Sequence, residues 1–563
     1  MIAQALSRYR FLRHLAPQQV VRRLALQSKR RVLAAWAAWR PAMRQPEDGP
    51  TPHLKAELPK PLFSPRGGAR PKEEGGWEMR FLKRSHTFGP QIDWDYKETQ
   101  QGACLWQMNL HYMEYLESLP AEESLALMAD WAVKNPPYGP GYWLATWNAY
   151  SLSIRTVVWM QQLARHSSTI SPEHRPAILN SLGQQIRFLH ANLERDIGGN
   201  HLVKNIKALL WAGAFFDDAE FARCASLGRQ LLRQEIATQV LSDGMHYERS
   251  PSYHAQVFAD FLECYQVLEA GALKEQLGEA LDRMAAALRD TTEPDGFPAL
   301  FNDAGMTMAY APGDCLTVHA KLRAPLPAPA LHVSLPRAGY YGWRDGNHSL
   351  LIDCGPLGPD GLMAHAHADI LSFVWSPCGE RMILDAGVYE YRAGERRAYA
   401  RATKAHNTLT LDDLDQCEFV GPFRVGRRSH GQCTRFAPRE DGFVLEGEHA
   451  GYAHLHGGPI HRRRFTLTAE GLLIEDEVVG GAGQAAVARL LLHEDCSVDE
   501  TAEGLVIARG ACRLRLESSG TLSVEEAWRS PDMGQDVRCK RVVIAYGAGP
   551  CKGHIRLALE MTR

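Results

Sequence analysis

RAPLPAPALHVSLP, residues Arg323 to Pro336, divides the sequence into two textures. Its four prolines in fourteen residues fix φ and remove backbone donors, so it supports neither a regular helix nor a central strand. Working upstream, from about residue 100 to 323, apolar residues recur with a spacing near 3.6, the period of a helix with one buried face. In HLVKNIKALLWAGAFF, Leu202, Ile206, Leu209, Leu210 and Gly213 fall on one side. In YHAQVFADFLECYQVL, Tyr253, Val257, Phe261 and Tyr265 follow at four-residue steps. Both predict half-buried helices, and several in succession predict an all-α bundle or a helical toroid. Downstream, short runs such as SLLIDCG, RMILDAG, NTLTLDD, GFVLEGEH and RRFTLTAEGLLIEDEV are broken by Gly, Asp and Pro. That pattern predicts antiparallel strands in a two-sheet sandwich. The expected organisation is a basic helical segment and linker over 1–90, a helical domain over 91–323, a Pro-rich linker over 324–336 and a β domain over 337–563.

A chain of 563 residues exceeds what one compact core accommodates, which agrees with two large domains. No run of about 18 apolar residues is present to span a bilayer. The formal net charge of -2 argues against a nucleic-acid binder, whose surface is basic throughout. It hides one local excess: residues 1–44 carry ten Arg or Lys and no acid. These cations interrupt every apolar run, so the segment does not read as a secretory signal. It reads either as a solvated basic helix docked on the body or as an amphipathic helix touching an anionic membrane surface or acidic glycan. The twelve cysteines lie scattered from Cys104 to Cys551 without a C-x-x-C pair, as reduced, packed thiols do. The expected location is cytoplasmic or membrane-peripheral.

The densest chemistry lies in Ala364-His365-Ala366-His367-Ala368-Asp369. On an extended chain the two histidines and the aspartate would share one face and three alanines the other. A face buried for stability would carry Val or Ile. Asp385 in ILDAG and His406 in KAHNT follow at the edges of apolar runs read as strands. With His367 they supply the imidazole and carboxylate ligands that zinc takes, in a structural role that would pin the loop of His365. Asn200 and His201, after Gly198-Gly199, stand where a helix begins, a position that favours anions; the competing reading makes Asn200 the helix N-cap. DGMHYERSPSYH (Asp243 to His254) gathers proton carriers around a proline that opens a helix. Within it Tyr253 at a helix start reads as packing or as a proton carrier, and Arg249 and His254 are candidate substrate contacts. Trp143 and Trp147 are candidate platforms for sugar rings, against the alternative of helix-packing core.

In order along the chain, NHLVKNIKALLWAG, DGMHYERSPSYH, FNDAG, AHAHADILSF, ILDAGVYEY and RRAYARATKAHNTLTLDDLDQCEF resemble the signature of the heparinase II/III family. The resemblance covers roughly residues 100 to 560. It implies an (α/α) toroid followed by an antiparallel β-sandwich, and a polysaccharide lyase acting on uronate-containing chains such as heparan sulfate, chondroitin, hyaluronan or alginate. Residue by residue, Asn200 and His201 match the carboxylate-neutralising pair, Tyr253 the tyrosine that protonates the leaving oxygen, and His365 the catalytic histidine. His367, Asp385 and His406 match zinc ligands, and Tyr399 lies where some alginate-cleaving relatives place a base. Removing the C5 proton of a uronate requires that the carboxylate charge be neutralised first, then a base and an acid; the base is His365 or a tyrosinate.

Two other classes compete. A glycoside hydrolase on the same toroid would use paired carboxylates, for which Glu248, Asp243 and Asp303 are the candidates. A non-catalytic glycan-binding protein of polysaccharide assembly would have no use for Asn200, Tyr253 and His365 together. The basic N-terminus fits a setting in surface-polysaccharide metabolism. Oligomeric state and endo or exo action are not written in the sequence.

Overall fold

The computed structural model describes residues 2–40, 43, 50–73, 75–98, 105–166, 175–346 and 348–560. The chain forms two compact units, one of Ala16–Ala237 with Ala259–Glu279, the other of Met1–Leu15, Thr238–Phe258 and Ala280–Arg563.

The first unit is helical. Its main helices are Pro17–Trp39, Leu105–Tyr112, Ala121–Lys134, Ala149–Arg165, Arg175–His190, Gly199–Phe215 and most of Ala219–Gln239. Helix 149–165 starts where Asn148 accepts the Tyr150 amide, an N-cap that satisfies one of the orphan donors of the first turn. Its Arg155 is fully buried. The guanidinium donates to the Gln185 side chain and to the carbonyls of His111 and Thr146 and lies 3.7 Å from the centre of the Trp131 ring. A buried cation of this kind is tolerable only because each donor finds an acceptor. Helix 199–215, expected to be half buried, is buried on nearly every side. Its polar residues point inward as well: Lys207 Nζ lies 2.7 Å from Asp260 and 2.6 Å from Glu263, and Lys204 is 2.9 Å from Asp260. Periodicity misjudged this helix because paired charges let a core helix carry lysine.

The stretch before residue 90 is more ordered than a linker. It contains an antiparallel sheet of Ala69–Pro71, Trp77–Phe81 and Arg84–Phe88. That sheet places Met79, Phe81 and Phe88 in the helical core, with the Phe81 ring 5.0 Å from Trp106.

The second unit is built mainly of antiparallel sheets. An eight-stranded sheet runs in the spatial order 497–501, 504–509, 512–518, 551–559, 471–479, 460–468, 442–449, 432–439. Two four-stranded sheets accompany it. One orders 521–532, 535–548, 485–491 and 409–411, the other 332–335, 340–344, 349–353 and 373–376. Residues of all three share one core, including Leu350, Phe373, Phe465, Ile474, Leu490 and Val542. Strand 460–468 alternates buried and open positions along its length, so its inward face joins this core while the outward Arg462 and Arg464 pair with acids. His332–Leu335 is a strand inside the stretch read as a Pro-rich linker. It occupies a sheet edge, where Pro336 just beyond it interrupts no ladder.

Candidate active site

Tyr253 lies in the first turn of helix Pro251–Val267. Ser250 accepts the Tyr253 amide and donates to the Asp303 carbonyl at 2.7 Å, so the capping residue of this helix also anchors FNDAG. Asn302, with φ of 58°, accepts the His367 amide, and its own amide donates to Asp369. The Asp303 amide donates to the His365 carbonyl. FNDAG and AHAHAD are therefore laced together. AHAHAD is not a strand but an irregular stretch of turns and bends. The two histidines converge all the same, because both reach Asp303: His365 Nδ1 at 2.9 Å and His367 Nε2 at 2.8 Å. The small alanines permit the close backbone approach; Ala364 and Ala366 offer their carbonyls to Arg397 and Arg401.

Asp303 is fully buried. Burial alone would raise its pKa, but the Arg397 guanidinium and the two imidazoles hold it well below the ordinary carboxylate range. An ionised carboxylate only accepts, so the proton of His365 is fixed on Nδ1 and Nε2 is the free-facing nitrogen. Glu248 Oε2 lies 3.5 Å from that Nε2. The imidazole stacks on the Tyr253 ring at 3.9 Å between centroids. Tyr253 Oη lies 2.7 Å from Tyr391 Oη, and the Arg397 guanidinium is 5.2 Å from the Tyr391 ring centre. Burial pushes the Tyr391 phenol well above its usual value, so it stays a hydrogen-bond donor.

The structure brings His367, Asp385 and His406 together. One ligand atom of each lies within 4.8 Å of the others, and all three residues are buried. Among the described residues His367 Nδ1 and His406 Nε2 have no hydrogen-bond partner. Two buried imidazole nitrogens without partners beside a carboxylate are the donor set that zinc takes, and the Asp303 contact to the far side of His367 is the outer support such ligands need. Asp385 lies outside any strand; nearby Ile383 makes only isolated bridges to Trp375 and Leu492.

In the helical unit, the N-cap of helix 199–215 is Gly198, with φ of 73°. Asn200 is thus the second residue of the helix and not its cap. It is buried, while His201 is partly open. His201 Nδ1 lies 3.1 Å from Glu194, and its ring packs at a tilt against Tyr150, 4.4 Å between centroids.

Several expected site residues have other duties. Trp147 is buried and donates to the Asn135 carbonyl, which makes it core; Trp143 is only partly covered. The Arg249 guanidinium is occupied by the carbonyls of Ala338, Tyr247 and Arg337. His254 is fully buried between the His246 amide and the Met284 carbonyl. Tyr399 donates to the Trp528 carbonyl and packs near Ala386 and Leu491. Burial raises its phenol to about 12, a direction that disfavours the tyrosinate a base role would require. The tyrosine that meets Tyr253 is Tyr391, in the quoted ILDAGVYEY but given no role there. Nothing in its local sequence separates it from Tyr389 two residues earlier. Asp303, a candidate hydrolase acid, is too acidic in this setting to hold a proton.

The helical unit, the antiparallel sheets and the tyrosine–histidine–aspartate cluster define an α+β protein of the toroid-and-sandwich class. A model described as heparinase II/III N-terminus matches residues 75–312, and one described as heparinase II/III-like, C-terminal, matches residues 327–557. The two matches together span most of the chain, which belongs to the heparinase II/III family. A heparin-sulfate lyase of Pedobacter heparinus is 25% identical over 367 residues, 58% of this chain and 54% of that protein. The chain thus spans about half the length of that relative. Among solved structures, heparinase III aligns with a TM-score of 0.70 at 19% identity, covering 84% of this chain and 80% of the other. Heparan sulfate lyase HepC from Pedobacter heparinus aligns with a TM-score of 0.58 at 20% identity, over 95% and 89%. At these identities the likeness establishes the fold.

Proposed function

We propose that this protein is a polysaccharide lyase that cleaves an acidic, uronate-containing glycan of the heparan sulfate class by β-elimination. The observation that carries the reading is the Tyr253–His365 stack, with the Asp303 carboxylate on His365 Nδ1. In this reading His365 Nε2 takes the C5 proton, because Asp303 holds the other nitrogen protonated and stabilises the imidazolium that forms. Tyr253 gives its phenolic proton to the departing C4 oxygen. The Tyr391 hydroxyl, 2.7 Å away, then donates to the tyrosinate, and Arg397 adds positive charge nearby. Neutralisation of the uronate carboxylate is assigned to Asn200 and His201 on the family resemblance. Their place at a helix N-terminus supports it, since amide donors and the helix dipole favour negative charge there.

Zinc is the proposed ion for His367, Asp385 and His406. These three residues would hold it, and its role would be structural, pinning the segments that carry them. His367 and Asp303 link that place to His365, so an ion there would help to hold the base in position.

The test is absorbance in the near ultraviolet during incubation with heparan sulfate, chondroitin, hyaluronan and alginate. Elimination leaves a C4–C5 double bond that absorbs, and the rise is expected with a sulfated uronate chain. Shortened chains without the absorbance would replace the lyase by a hydrolase, and no shortening of any of them would remove the catalytic reading for this substrate class.

A further inference from the structure

Of the fourteen exposed large apolar side chains among the described residues, eight lie between Leu6 and Trp39, ahead of both family matches. Five are on helix 17–39: Val21, Leu24, Val32, Trp36 and Trp39, with exposures from 49% for Trp36 to 84% for Trp39. Their spacings bring them to one side of the helix, and the positions between them on that side are Ala25, Ser28 and Ala35, also exposed. The opposite side is the docked one. Arg23 and Arg30 line a small cavity with Glu194, Asp196 and Ile197, and Lys29 donates to the Ala191 carbonyl at 2.8 Å. The helix is therefore held to its own unit by the contacts of Arg23, Lys29 and Arg30 and by Leu26, Leu33, Ala34 and Ala37 on its covered side, while a second apolar side is left open to water. Arg22, Arg31 and Arg40 are exposed as well, and no acid occurs before Glu47.

We propose that this open face is a peripheral docking surface for an anionic lipid membrane. A solvated basic helix would keep its apolar residues on the covered side; here five large ones face water beside the exposed arginines. A wide apolar face ending in two tryptophans and accompanied by arginines without acids is complementary to a bilayer surface: tryptophan favours the headgroup boundary and arginine the anionic lipid. Among the described residues no helix is long and apolar enough to cross a membrane; the proposed contact is in the plane of the surface. The surface lies outside the proposed active centre, and its test is independent of the lyase reading.

The experiment is co-sedimentation of the full chain with vesicles of equal parts phosphatidylglycerol and phosphatidylcholine, and with phosphatidylcholine alone. Binding to the anionic vesicles only is expected, reversed by high salt. Trp36→Ser/Trp39→Ser removes the two largest apolar groups from positions already in water, so folding is spared, and about a tenfold or greater loss of binding is expected. Arg31→Gln is expected to weaken binding about fivefold. Equal sedimentation of wild type and the tryptophan variant would overturn the proposal. So would failure of the wild type to bind, including the case in which light scattering shows a dimer that the tryptophan substitutions dissociate.

Discussion

Replacing Tyr253 with Phe removes one oxygen from the proposed centre and little else. The ring stays, so its 3.9 Å stack on His365 is kept and the site should hold its shape. The lost group is a hydroxyl that lies 2.7 Å from the Tyr391 hydroxyl. One such hydrogen bond contributes about 1 kcal/mol of stability. If the hydroxyl is the acid, its removal lowers the rate by about a hundred- to ten-thousand-fold, equivalent to roughly 3–5 kcal/mol of barrier. The two effects differ enough to be separated. Initial rates of unsaturated product formation and thermal unfolding should be measured on the same preparations, with Tyr391→Phe as control, since it loses the same hydrogen bond and keeps the acid. A large loss of rate in the Tyr253 variant, about tenfold or less in the Tyr391 variant and similar melting in both is expected. Equal impairment of the two, or a Tyr253 variant retaining more than about a tenth of the activity, would refute the assignment.

Tyr399→Phe should leave the rate within about twofold of wild type, because its hydroxyl serves the Trp528 carbonyl; a loss comparable to that of Tyr253→Phe would return it to the centre. Chelation should lower the melting temperature, and readdition of zinc should restore it with about one ion bound per chain, whereas His406→Ala should bind none; an unchanged melting curve with no metal in the purified protein would remove the ion. Burial, helped by nearby Glu114, raises Glu117 to about 7, so the folded state holds that proton more tightly than the unfolded chain. Stability from this group is complete below the unfolded value near 4.5 and falls as pH rises to about 7. Glu117→Gln should thus be about 3 kcal/mol more stable than wild type above pH 7 and equal to it near pH 4, as chemical denaturation at the two pH values would show; no gain at the higher pH would contradict the shift.

The β part was readable because strands such as 460–468 and 471–479 carry one buried face each, and alternation reports that directly. AHAHAD satisfied the same alternation and is not a strand. Its geometry is imposed by Asn302 and Asp303, some sixty residues earlier, through contacts that no local pattern encodes. The three metal-ligand candidates were found because His and Asp in an otherwise apolar setting are conspicuous. Arg249 and His254 were conspicuous for the same reason, yet they satisfy backbone groups. Composition cannot tell a histidine aimed at a substrate from one aimed at the Met284 carbonyl. Trp147 failed by the same logic: an aromatic residue near a turn reads as a platform, but its exposure of 2% leaves no face for a sugar. Asn200 was displaced from the cap because two consecutive glycines at positive φ let the helix begin two residues earlier, at Gly199, with Gly198 as its cap.

The most direct test of the central claim is to let the protein degrade heparan sulfate in water enriched in heavy oxygen and to weigh the fragments. Elimination takes no oxygen from solvent, so in incubations short enough that the reducing-end hydroxyl has not exchanged with water, unlabelled fragments are expected, with the new non-reducing ends one water lighter than hydrolysis would leave them. Fragments carrying one heavy oxygen at each cleaved bond would mean that water is the nucleophile, and the pairing of Tyr253 with His365 would need another explanation.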